Sequence, residues 1–384
     1  MYLNLNSLTA TLSISTLLLT GLYLLFLLYL IRGWARIKTI FPVKETPFST
    51  KVTILIAARN EAGSIHLTIR DILAQEYPKH LLEIIIVDDH STDDTAAIIN
   101  SYANQGITLL RLNEHQPLNS YKKKAITAAI NLSSGELMVA TDADCRMGSK
   151  WLSSIVTYYE TRAPVMISAP VTFFEEKSLF ELMQTLEFYY LIGIGGAFIG
   201  NGRAATCNGA NLAYRKDVFY EVGGFAGIDE LASGDDELLL QKVAERYPGK
   251  IGFVKQIEAV VYTHAKPNLK EFMQQRRRWA SKFKKYKDQK IVAIGMGFWL
   301  FNISILINAV LGLFNIVFFK LFLLQFLLKY LFEAIYLLPV TSFFKRGYLI
   351  TLLIITIPVH IVYMVYMGFI GSNKKYYWKG RIVK

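Results

Sequence analysis

The chain has 384 residues, of which 53% are hydrophobic, and its mean hydropathy is +0.31. This length fits one large or two medium domains, and so apolar an average excludes an ordinary soluble protein. The formal net charge is +12, but the cations cluster beside apolar segments, which favours contact with a membrane surface over nucleic-acid binding. The two cysteines, Cys145 and Cys207, fit a reducing compartment without a disulfide framework.

The first predicted element is a membrane anchor. Residues 8–31 carry no charge, and a helix of that length can cross the core of a bilayer. A cleavable signal peptide is the alternative, but the segment is long, has no basic start and has no small-residue cleavage site before Arg32. We therefore predict an anchor over 1–32 and a linker over 33–50.

Residues 51–140 alternate apolar strands with helices. The predicted strands are 52–57, 83–87, 107–112 and 137–140; helices follow the first two strands, to about 76 and about 102, and a third occupies 122–132. Thr92 or Asp93 is the expected N-cap of the second helix. This alternation predicts an α/β fold with a parallel, doubly wound sheet. No glycine-rich dinucleotide fingerprint or phosphate-loop lysine follows the first strand, which argues against a dehydrogenase or a nucleoside triphosphatase.

Two of these strands end in carboxylates. Asp88 and Asp89 follow the second strand, and Asp142 and Asp144 follow the fourth. Side chains alternate along an extended chain, so Asp142 and Asp144 fall on one side, at the edge where open α/β sheets bind ligands. Mg²⁺ is usually held by one or two carboxylates together with phosphate oxygens, so the pattern predicts a divalent cation carrying a phosphorylated ligand. For an isolated Asp-x-Asp, a solvated acidic turn is the alternative.

From residue 150 onward the pattern is looser. An apolar, aromatic-rich helix is predicted from Ser178 to about Gly200. It would lie against the membrane surface, line an acceptor site, or form a plain core helix. A third acidic cluster, Asp235-Asp236, opens a helix that runs to about Arg246. Capping the positive end of that helix is an alternative role for both carboxylates.

The carboxyl-terminal part contains a second apolar block. Residues 274–279 read Gln-Gln-Arg-Arg-Arg-Trp, and spans are predicted at 291–319 and 348–369. Between them, 321–339 is apolar but contains Lys329 and Glu333. If this segment crosses the membrane, the basic tail lies outside, against the positive-inside rule. The sequence favours an interfacial or re-entrant segment, which leaves the tail in the cytoplasm.

Basic residues flank both apolar blocks and set the predicted orientation. Arg32, Arg36 and Lys38 follow the first span, and a basic cluster at 276–290 precedes the second block. Short basic flanks mark the cytoplasmic side, so residues 51–290 are predicted to form a cytoplasmic domain with the N-terminus outside. The predicted membrane region is 291–371, with two to three spans, and 372–384 form a basic tail. We predict an integral protein of the cell inner membrane.

The order of these motifs resembles one family. The Asp-Asp and Asp-x-Asp pairs are followed by Cys-Asn-Gly-Ala-Asn at 207–211, Gly-Asp-Asp-Glu-Leu at 234–238 and Gln-x-x-Arg-Trp at 275–279, before membrane spans. Over about residues 51–290, this order of motifs resembles that of the family 2 glycosyltransferases of GT-A fold. The likeness is greatest to the membrane-embedded branch, which includes cellulose, chitin and hyaluronan synthases and ceramide glucosyltransferases. The resemblance implies a doubly wound mixed sheet flanked by transmembrane helices, and a nucleotide-sugar donor whose anomeric centre is inverted.

On the donor side, the resemblance implies a role for each matching position. Ala57, Arg59 and Glu61 would border the nucleoside, and Asp88 and Asp89 would contact uracil and ribose. Lys122 matches a family lysine, although Lys123 and Lys124 leave the register open. Asp142 would face the ribose and diphosphate, and Asp144, together with Asp142, would hold Mg²⁺ or Mn²⁺. Asn208 and Gly209 would lie near the transferred sugar.

On the acceptor side, the resemblance implies that Asp236 is the general base, with Asp235 where many members have Glu. Gln275, Arg278 and Trp279 match the motif that closes over the diphosphate and contacts the acceptor. For Trp279, a place at the membrane interface is the alternative. His90 and His264 are expected to be structural loop histidines.

The implied activity is transfer of a hexose from a nucleotide-sugar, in the first place a UDP-sugar, to a hydroxyl of a membrane-associated lipid or lipid-linked glycan. The alternative is a processive polysaccharide synthase, toward which Gln-x-x-Arg-Trp leans, although three or four spans are few to enclose a polysaccharide channel. A catalytically inactive scaffold or sugar-nucleotide sensor is a remote alternative, because all three acidic clusters are intact. Membrane lipids are expected partners and nucleic acid is not; an oligomer is compatible with the sequence.

Overall fold

The structure is a computed structural model that describes residues 5–39, 47–113, 120–231, 233–280, 282, 286, 288–370, 376–378 and 381–383. Its helices are α1 Leu5–Arg36, α2 Ile65–Leu73, α3 Thr95–Asn100, α4 Tyr121–Leu132, α5 Trp151–Arg162, α6 Leu179–Gly200, α7 Lys216–Glu221, α8 Glu237–Arg246, α9 Leu269–Ala280, α10 Gln289–Leu311, α11 Ile316–Phe343 and α12 Leu353–Ile370. Its strands are β1 Val52–Ala58, β2 Leu82–Asp88, β3 Ile107–Arg111, β4 Leu137–Asp142, β5 Arg146–Met147, β6 Met166–Ser168, β7 Val171–Phe173, β8 Leu212–Arg215, β9 Ile251–Phe253, β10 Val261–Thr263, β11 Tyr376–Trp378 and β12 Arg381–Val383.

Seven strands form the main sheet in the order β3-β2-β1-β4-β8-β6-β9, and β5, β10 and β7 form a smaller one. β1 lies between β2 and β4 and runs parallel to both, with Ala58 opposite Asp88 and Ala57 opposite Asp142. The carboxyl ends of these three strands therefore meet at one edge, as the sequence predicts. The strand interiors are apolar and buried because helices cover both faces of the sheet.

The main sheet is mixed rather than parallel. β8 runs antiparallel to β4 on one side and to β6 on the other, with Leu137 opposite Arg215. The parallel arrangement predicted from the strand–helix alternation over 51–140 is found in β1 to β4, and the mixed sheet implied by the family resemblance is confirmed. The apolar pattern of a buried strand carries no information about its direction, which is set by the connection that leads into it.

The turn that precedes α3 differs from the prediction. The helix begins at Thr95 with Asp94 at its N-cap and no side-chain capping bond, so the expected cap at Thr92 or Asp93 is wrong. The Asp93 carboxylate instead accepts hydrogen bonds from the backbone N–H of Thr95 and from that of Ala62, both at 3.1 Å. It thereby joins the segment after β1 to the segment after β2.

Within the described residues, five helices are long and apolar enough to cross a membrane, namely α1, α6, α10, α11 and α12. The rest of the protein buries 72% of the apolar 18-residue stretch of α6, against 28% of the corresponding stretch in each of the other four helices. The other four helices expose large apolar side chains along their length, such as Leu18, Val310, Leu327 and Ile354. We conclude that α6 is part of the protein core below the sheet, whereas the other four offer apolar surface to lipid.

The carboxyl-terminal apolar block differs from the prediction at one boundary. α10 ends at Leu311, and the chain turns at 312–315 before α11 starts, so a single span over 291–319 is wrong. α11 is a continuous helix of 28 residues that contains the whole of 321–339. The sequence favours an interfacial segment there because a spanning one would place the basic tail outside; the structure shows how the two charges of this helix are paired.

Lys329 and Glu333 of α11 are paired inside the helix bundle. The ammonium lies 2.7 Å from the Glu333 carboxylate, which also accepts a hydrogen bond of 2.6 Å from the Tyr23 hydroxyl of α1. Further along the same contact, the Asn308 amide of α10 donates to Gln325 at 2.8 Å and to Thr16 at 3.1 Å. Because these groups satisfy one another between α1, α10 and α11, a membrane-spanning α11 needs neither Lys329 nor Glu333 in contact with lipid.

α1 and α6 approach each other closely where the membrane helices meet the domain. A Cβ atom added to Gly33 would overlap the carbonyl oxygen of Ala197, and one added to Gly200 would overlap the carbonyl oxygen of Gly33. Small residues allow this backbone approach. α1 continues past the predicted anchor to Arg36, and residues 40–46 of the predicted linker lie outside the described residues.

The carboxyl-terminal half of α12 lies against α9, on the side of the bundle that faces the sheet. Its residues Tyr363 and Tyr366 contact α9, through the Phe272 ring at 5.5 Å between centroids and through the Arg277 guanidinium at 3.4 Å from the Tyr366 hydroxyl. β11, which follows α12 in the chain, also lies next to α9.

Candidate active site

A cavity of about 560 Å³ opens at the carboxyl ends of β1 and β4, within the usual size range of ligand pockets. The structure brings almost all of the predicted site residues to its walls, although they span more than half of the chain. Those that line it are Ala57, Arg59, Glu61, Asp89, Lys122, Asp142, Asp144, Asn208, Gly209, Asp235, Asp236, Gln275, Arg278 and Trp279.

Asp88 is the exception among the predicted site residues. It is not part of the cavity wall; its side chain is buried and its carboxylate accepts the backbone N–H of Ser91 at 3.3 Å. This carboxylate shapes the turn after β2, and its expected contact with a nucleoside has no support in the geometry. The difference arises because successive residues at a strand end point in opposite directions.

Arg59 and Asp89 connect the loop after β1 to the loop after β2. The Arg59 guanidinium donates to the carbonyl oxygens of Asp89 and His90, at 2.8 and 2.6 Å. The Asp89 backbone N–H donates to Ala58, and its carboxylate lies 3.1 Å from Nδ1 of His90. His90 therefore has a local partner, as expected of a structural histidine, whereas His264, which stacks on Phe174, also lines the cavity.

Asp142 and Asp144 form the part of the cavity that suits a divalent cation. Their oxygens and the Cys145 sulfur lie within 4.8 Å of one another. Hard cations such as Mg²⁺ and Mn²⁺ prefer carboxylate oxygens. Burial, together with the neighbouring carboxylates, raises the pKa of the Cys145 thiol well above its ordinary value, so the thiol stays protonated and is a poor ligand. The two carboxylates therefore fit the cation that the sequence predicts.

The structure resolves which of three consecutive lysines faces the cavity. Lys122 lies 2.8 Å from Asp142 and 3.1 Å from Asp235. Burial would lower the pKa of Lys122, but the two carboxylates outweigh it and hold the pKa above its ordinary value. Neighbouring residues on a helix differ by about 100° in direction, so Lys123 points into the protein and Lys124 is exposed.

Asp236 caps α8 and also lines the cavity. One carboxylate oxygen accepts the backbone N–H of Glu237 at 2.7 Å and caps α8, and the other accepts the N–H of Gly209 at 3.0 Å. Burial would raise the pKa of Asp236, but the charges of Lys282 and Lys122 and the two N–H groups hold it below its ordinary value. Asp236 is therefore an ionised carboxylate in a cavity wall at neutral pH.

A cluster around Glu237 is part of the site and was missed by the sequence analysis. Lys282 lies 2.8 Å from the Glu237 carboxylate and 3.6 Å from Asp236. Glu237 also accepts hydrogen bonds from the hydroxyls of Thr206 and Tyr286. The only signal in the sequence is the Lys-rich stretch after α9, which was interpreted as a membrane flank.

α9 is held over the cavity by a buried ion pair. The Arg276 guanidinium lies 2.6 Å from the Glu187 carboxylate of α6, and it stacks between the rings of Phe272 and Trp279 at 4.4 and 4.2 Å from their centroids. This arrangement turns Gln275, Arg278 and Trp279 toward the cavity. The alternative of a purely membrane-interface role for Trp279 is therefore not what the structure shows.

One wall of the cavity, formed by α6, is apolar. Phe188, Leu191, Ile192 and Gly195 of α6 line it, and their spacing places them on one face of the helix. Trp279 continues this wall and stacks on Phe188 with 6.2 Å between ring centroids. The cavity thus joins an ionic half at the sheet edge to an apolar half at the helix that packs against α1.

Known proteins resemble this chain in sequence and in fold. Residues 53–223 match the sequence profile of Glycosyl transferase family 2. Over 252 residues the chain is 27% identical to the probable glycosyltransferase YdaM of Bacillus subtilis, covering 62% of this chain and 56% of that protein. Over 189 residues it is 26% identical to the glucosyl-dolichyl phosphate glucuronosyltransferase of Haloferax volcanii, covering 46% of this chain and 56% of that protein. The chain thus spans little more than half the length of these two relatives.

Two further likenesses complete the comparison. A stretch of 109 residues is 31% identical to the beta-monoglucosyldiacylglycerol synthase of Nostoc sp., covering 28% of this chain and 23% of that protein. The solved mannosyltransferase PcManGT of Pyrobaculum calidifontis, in complex with GDP-Man and Mn²⁺, superposes with a TM-score of 0.61 at 18% identity. That superposition covers 93% of this chain and 98% of the other, and at this identity it shows a shared fold.

The mixed seven-stranded sheet has a fold like that of GT-A glycosyltransferases, and it lies beside helices that are long and apolar enough to cross a membrane. More particularly, residues 53–223 match the profile of Glycosyl transferase family 2, in agreement with the resemblance found in the motifs.

Proposed function

We propose that this protein is an inverting glycosyltransferase that moves a hexose from a nucleotide-sugar, in the first place a UDP-sugar, to a hydroxyl of a lipid or lipid-linked glycan in the membrane. The observation that carries the proposal is the composition of one cavity. Asp142, Asp144 and Asp236 line its ionic half, and the α6 face with Phe188, Leu191 and Ile192 lines its apolar half.

The chemistry uses these groups as follows. The acceptor hydroxyl attacks the anomeric carbon from the side opposite the nucleoside diphosphate; the new glycosidic bond forms as the bond to the diphosphate breaks, and the hydroxyl proton goes to Asp236. Lys122 and Arg278 line the same cavity and supply positive charge for the departing diphosphate. A Mg²⁺ or Mn²⁺ ion held by Asp144 and Asp142 would add to that neutralisation.

The acceptor class follows from the apolar wall. Sugars bring hydroxyl groups that need hydrogen-bond partners, whereas the α6 face offers side chains suited to an alkyl or isoprenoid chain. The wall leads toward α1 and α10, because α6 packs on both. The names of two relatives, a glucosyl-dolichyl phosphate glucuronosyltransferase and a beta-monoglucosyldiacylglycerol synthase, support a lipid-linked product.

A processive polysaccharide synthase is the second candidate, because Gln275 and Trp279 of the Gln-x-x-Arg-Trp motif line the cavity. The contacts between α1, α10 and α11 favour single transfer instead. Thr16, Asn308, Gln325 and the Lys329–Glu333 pair bond to one another across those helices, so their common interface is filled rather than open to a polymer.

The proposed place of the domain is the cytoplasmic face of the inner membrane. Arg32, Arg36 and Lys38 follow the apolar part of α1, which supports a cytoplasmic domain through the positive-inside rule. Nucleotide-sugars are phosphorylated metabolites of the cytoplasm, so this orientation also brings the donor to the cavity.

The test is an assay of the purified full chain in lipid nanodiscs with radiolabelled UDP-glucose, UDP-galactose, UDP-N-acetylglucosamine and GDP-mannose, each with Mn²⁺ and a lipid extract. A single labelled lipid in thin-layer chromatography and mass spectrometry is the expected product, and its anomeric configuration should be opposite to that of the donor. A ladder of polymer sizes would establish the processive candidate, and no transfer from any donor would overturn the proposal. Asp236→Asn is the inactive control, because Asn retains the capping role of Asp.

A further inference from the structure

We propose that Lys123 is a positioning residue that fixes the backbone of the loop carrying Asp235 and Asp236, and that it thereby sets the rate of the transfer step. This inference rests on the proposed function only in that Asp236 acts as the base. The loop itself and its anchor are features of the structure that can be tested without any turnover.

The anchor is a buried ammonium group surrounded by carbonyl oxygens. Lys123 is 1% exposed, and its Nζ donates to the carbonyls of Ile228, Leu231 and Ser233 at 2.6, 2.6 and 2.9 Å. An ammonium has three N–H donors, and each one has an acceptor here. Hydrogen bonds from a charged donor are roughly twice as strong as neutral ones.

The segment that Lys123 holds has little other regular structure. Between α7 and α8 the described residues form turns and bends rather than helix or strand. Gly227 and Gly234 at its two ends have φ values of +79° and +85°, in the left-handed region, where a glycine loses more backbone entropy than other residues on folding. The three carbonyls bound by Lys123 belong to described residues between these glycines, so one side chain holds the loop backbone at three points.

The end of this loop is the cavity wall. Ser233, the third partner of Lys123, is followed directly by Gly234, Asp235 and Asp236. The two adjacent lysines of α4 thus act on the acidic pair in different ways. Lys122 forms an ion pair of 3.1 Å with the Asp235 carboxylate, whereas Lys123 donates a hydrogen bond to the carbonyl of Ser233, two residues before Asp235. A displacement of about 1 Å at a reacting group can cost about a hundredfold in rate, so the loop position matters for turnover.

The charge environment allows the ammonium to persist at neutral pH. Burial, helped by the charge of Lys282, lowers the pKa of Lys123 to about 8. The carboxylates of Asp235, Asp236 and Asp229 act in the opposite direction and limit the decrease. At pH 7 most molecules therefore carry the ammonium. Above pH 8 the neutral amine has two donors and one lone pair, so one of the three carbonyls loses its hydrogen bond.

The first experiment compares Lys123→Met with Lys124→Met, which removes the same charge from the exposed neighbour. Both proteins are measured in nanodiscs for kcat, for binding of UDP with Mn²⁺ and for hydrogen exchange of the backbone amides at 226–238. Lys123→Met should lower kcat at least about tenfold, change nucleotide affinity less than about twofold, and speed exchange in the loop; Lys124→Met should change none of these. Unchanged kcat and exchange in Lys123→Met would overturn the proposal.

A second measurement uses the wild-type chain, so the test does not depend on a variant that folds poorly. Protection of the amides at 228–236, corrected for the intrinsic effect of pH, should fall between pH 7 and pH 9.5, while protection in β1 and β4 stays constant. Constant protection in the loop would contradict the anchor. If the wild type transfers no sugar at all, the proposed function fails, whereas these exchange measurements still decide the role of Lys123.

Discussion

The Nζ atom of Lys282 lies 3.6 Å from Oδ1 of Asp236, the carboxylate that caps α8 at the cavity wall. Burial would lower the pKa of Lys282, but Asp236 and Glu237 raise it, so this lysine is a cation at every physiological pH. Its charge in turn helps to hold the pKa of Asp236 below its ordinary value, against the effect of burial. A residue just beyond α9 thus lowers the pKa of the carboxylate proposed as the base, at the start of α8.

This pair gives a prediction for the pH dependence of transfer. The base acts as a carboxylate, so the rate falls as the pH drops through the pKa of Asp236. Because Lys282 keeps that pKa low, Lys282→Met should move the acidic limb of the kcat profile to higher pH. Lys270→Met, at an exposed position of α9, is the control and should leave the profile in place. An acidic limb that stays fixed in Lys282→Met would show that the pair does not tune the base.

The cation site and the base should separate in binding experiments. Asp144→Ala removes an oxygen ligand, so Mn²⁺-dependent binding of the nucleotide, measured by isothermal titration calorimetry, should be lost. Asp236→Asn should retain that binding and lower kcat by about 10²- to 10⁴-fold. Equal loss of binding in both variants would contradict the assigned roles.

Gly209 is a position where a single methyl group should disturb the acidic pair. A Cβ atom there would lie 3.3 Å from Cβ of Asp236 and 3.4 Å from Oδ2 of Asp235, and would compete with the hydrogen bond from Gly209 to Asp236. Gly209→Ala should lower kcat about tenfold because the base shifts by a fraction of an ångström. At Gly63 an added Cβ meets nothing within 4 Å, so Gly63→Ala is the matched control, and equal rates in the two variants would refute this reasoning.

The Arg276–Glu187 pair should stabilise the position of α9. Both side chains are buried, with 3% and 11% exposure, and removing one partner of a buried pair costs about 3–5 kcal/mol. Glu187→Gln should therefore lower the midpoint of thermal unfolding and speed proteolysis within α9. Asp217→Asn weakens the exposed pair with Arg215, which is worth about 0–1 kcal/mol, and should have little effect. Similar shifts in the two variants would mean that burial adds nothing to the Arg276 pair.

The position of α12 predicts the side on which the chain ends. Tyr363 and Tyr366 contact α9 and β11 lies next to it, so we expect the basic tail on the same side of the membrane as the catalytic domain, in agreement with the positive-inside rule. Green fluorescent protein fused after Lys384 should fluoresce, and alkaline phosphatase fused there should be inactive. The reverse pattern would mean that α12 crosses the membrane completely.

Much of the active site can be predicted from the sequence because it lies at strand ends. Apolar runs that stop at Asp89, Asp142 and Asp144 fix which edge of the sheet is acidic, since parallel strands bring their carboxyl ends together. The order of the later motifs supplied Asp236, Gln275, Arg278 and Trp279, all of which line the same cavity. Asp88 shows the limit of this reasoning, because neighbouring residues face opposite ways and only the register decides which one reaches the cavity.

The sequence by itself determined the alternation of strands and helices up to β4, the apolar helices and the acidic strand ends, because these depend on local periodicity and on the length of apolar runs. Tertiary structure alone decided that β8 runs antiparallel, that Lys122 rather than Lys123 faces the cavity, that Lys282 lies beside Asp236, and that Lys329 and Glu333 pair with Tyr23 inside the bundle. Each of these is a contact between residues distant in the chain, and its geometry follows from packing that no local pattern records.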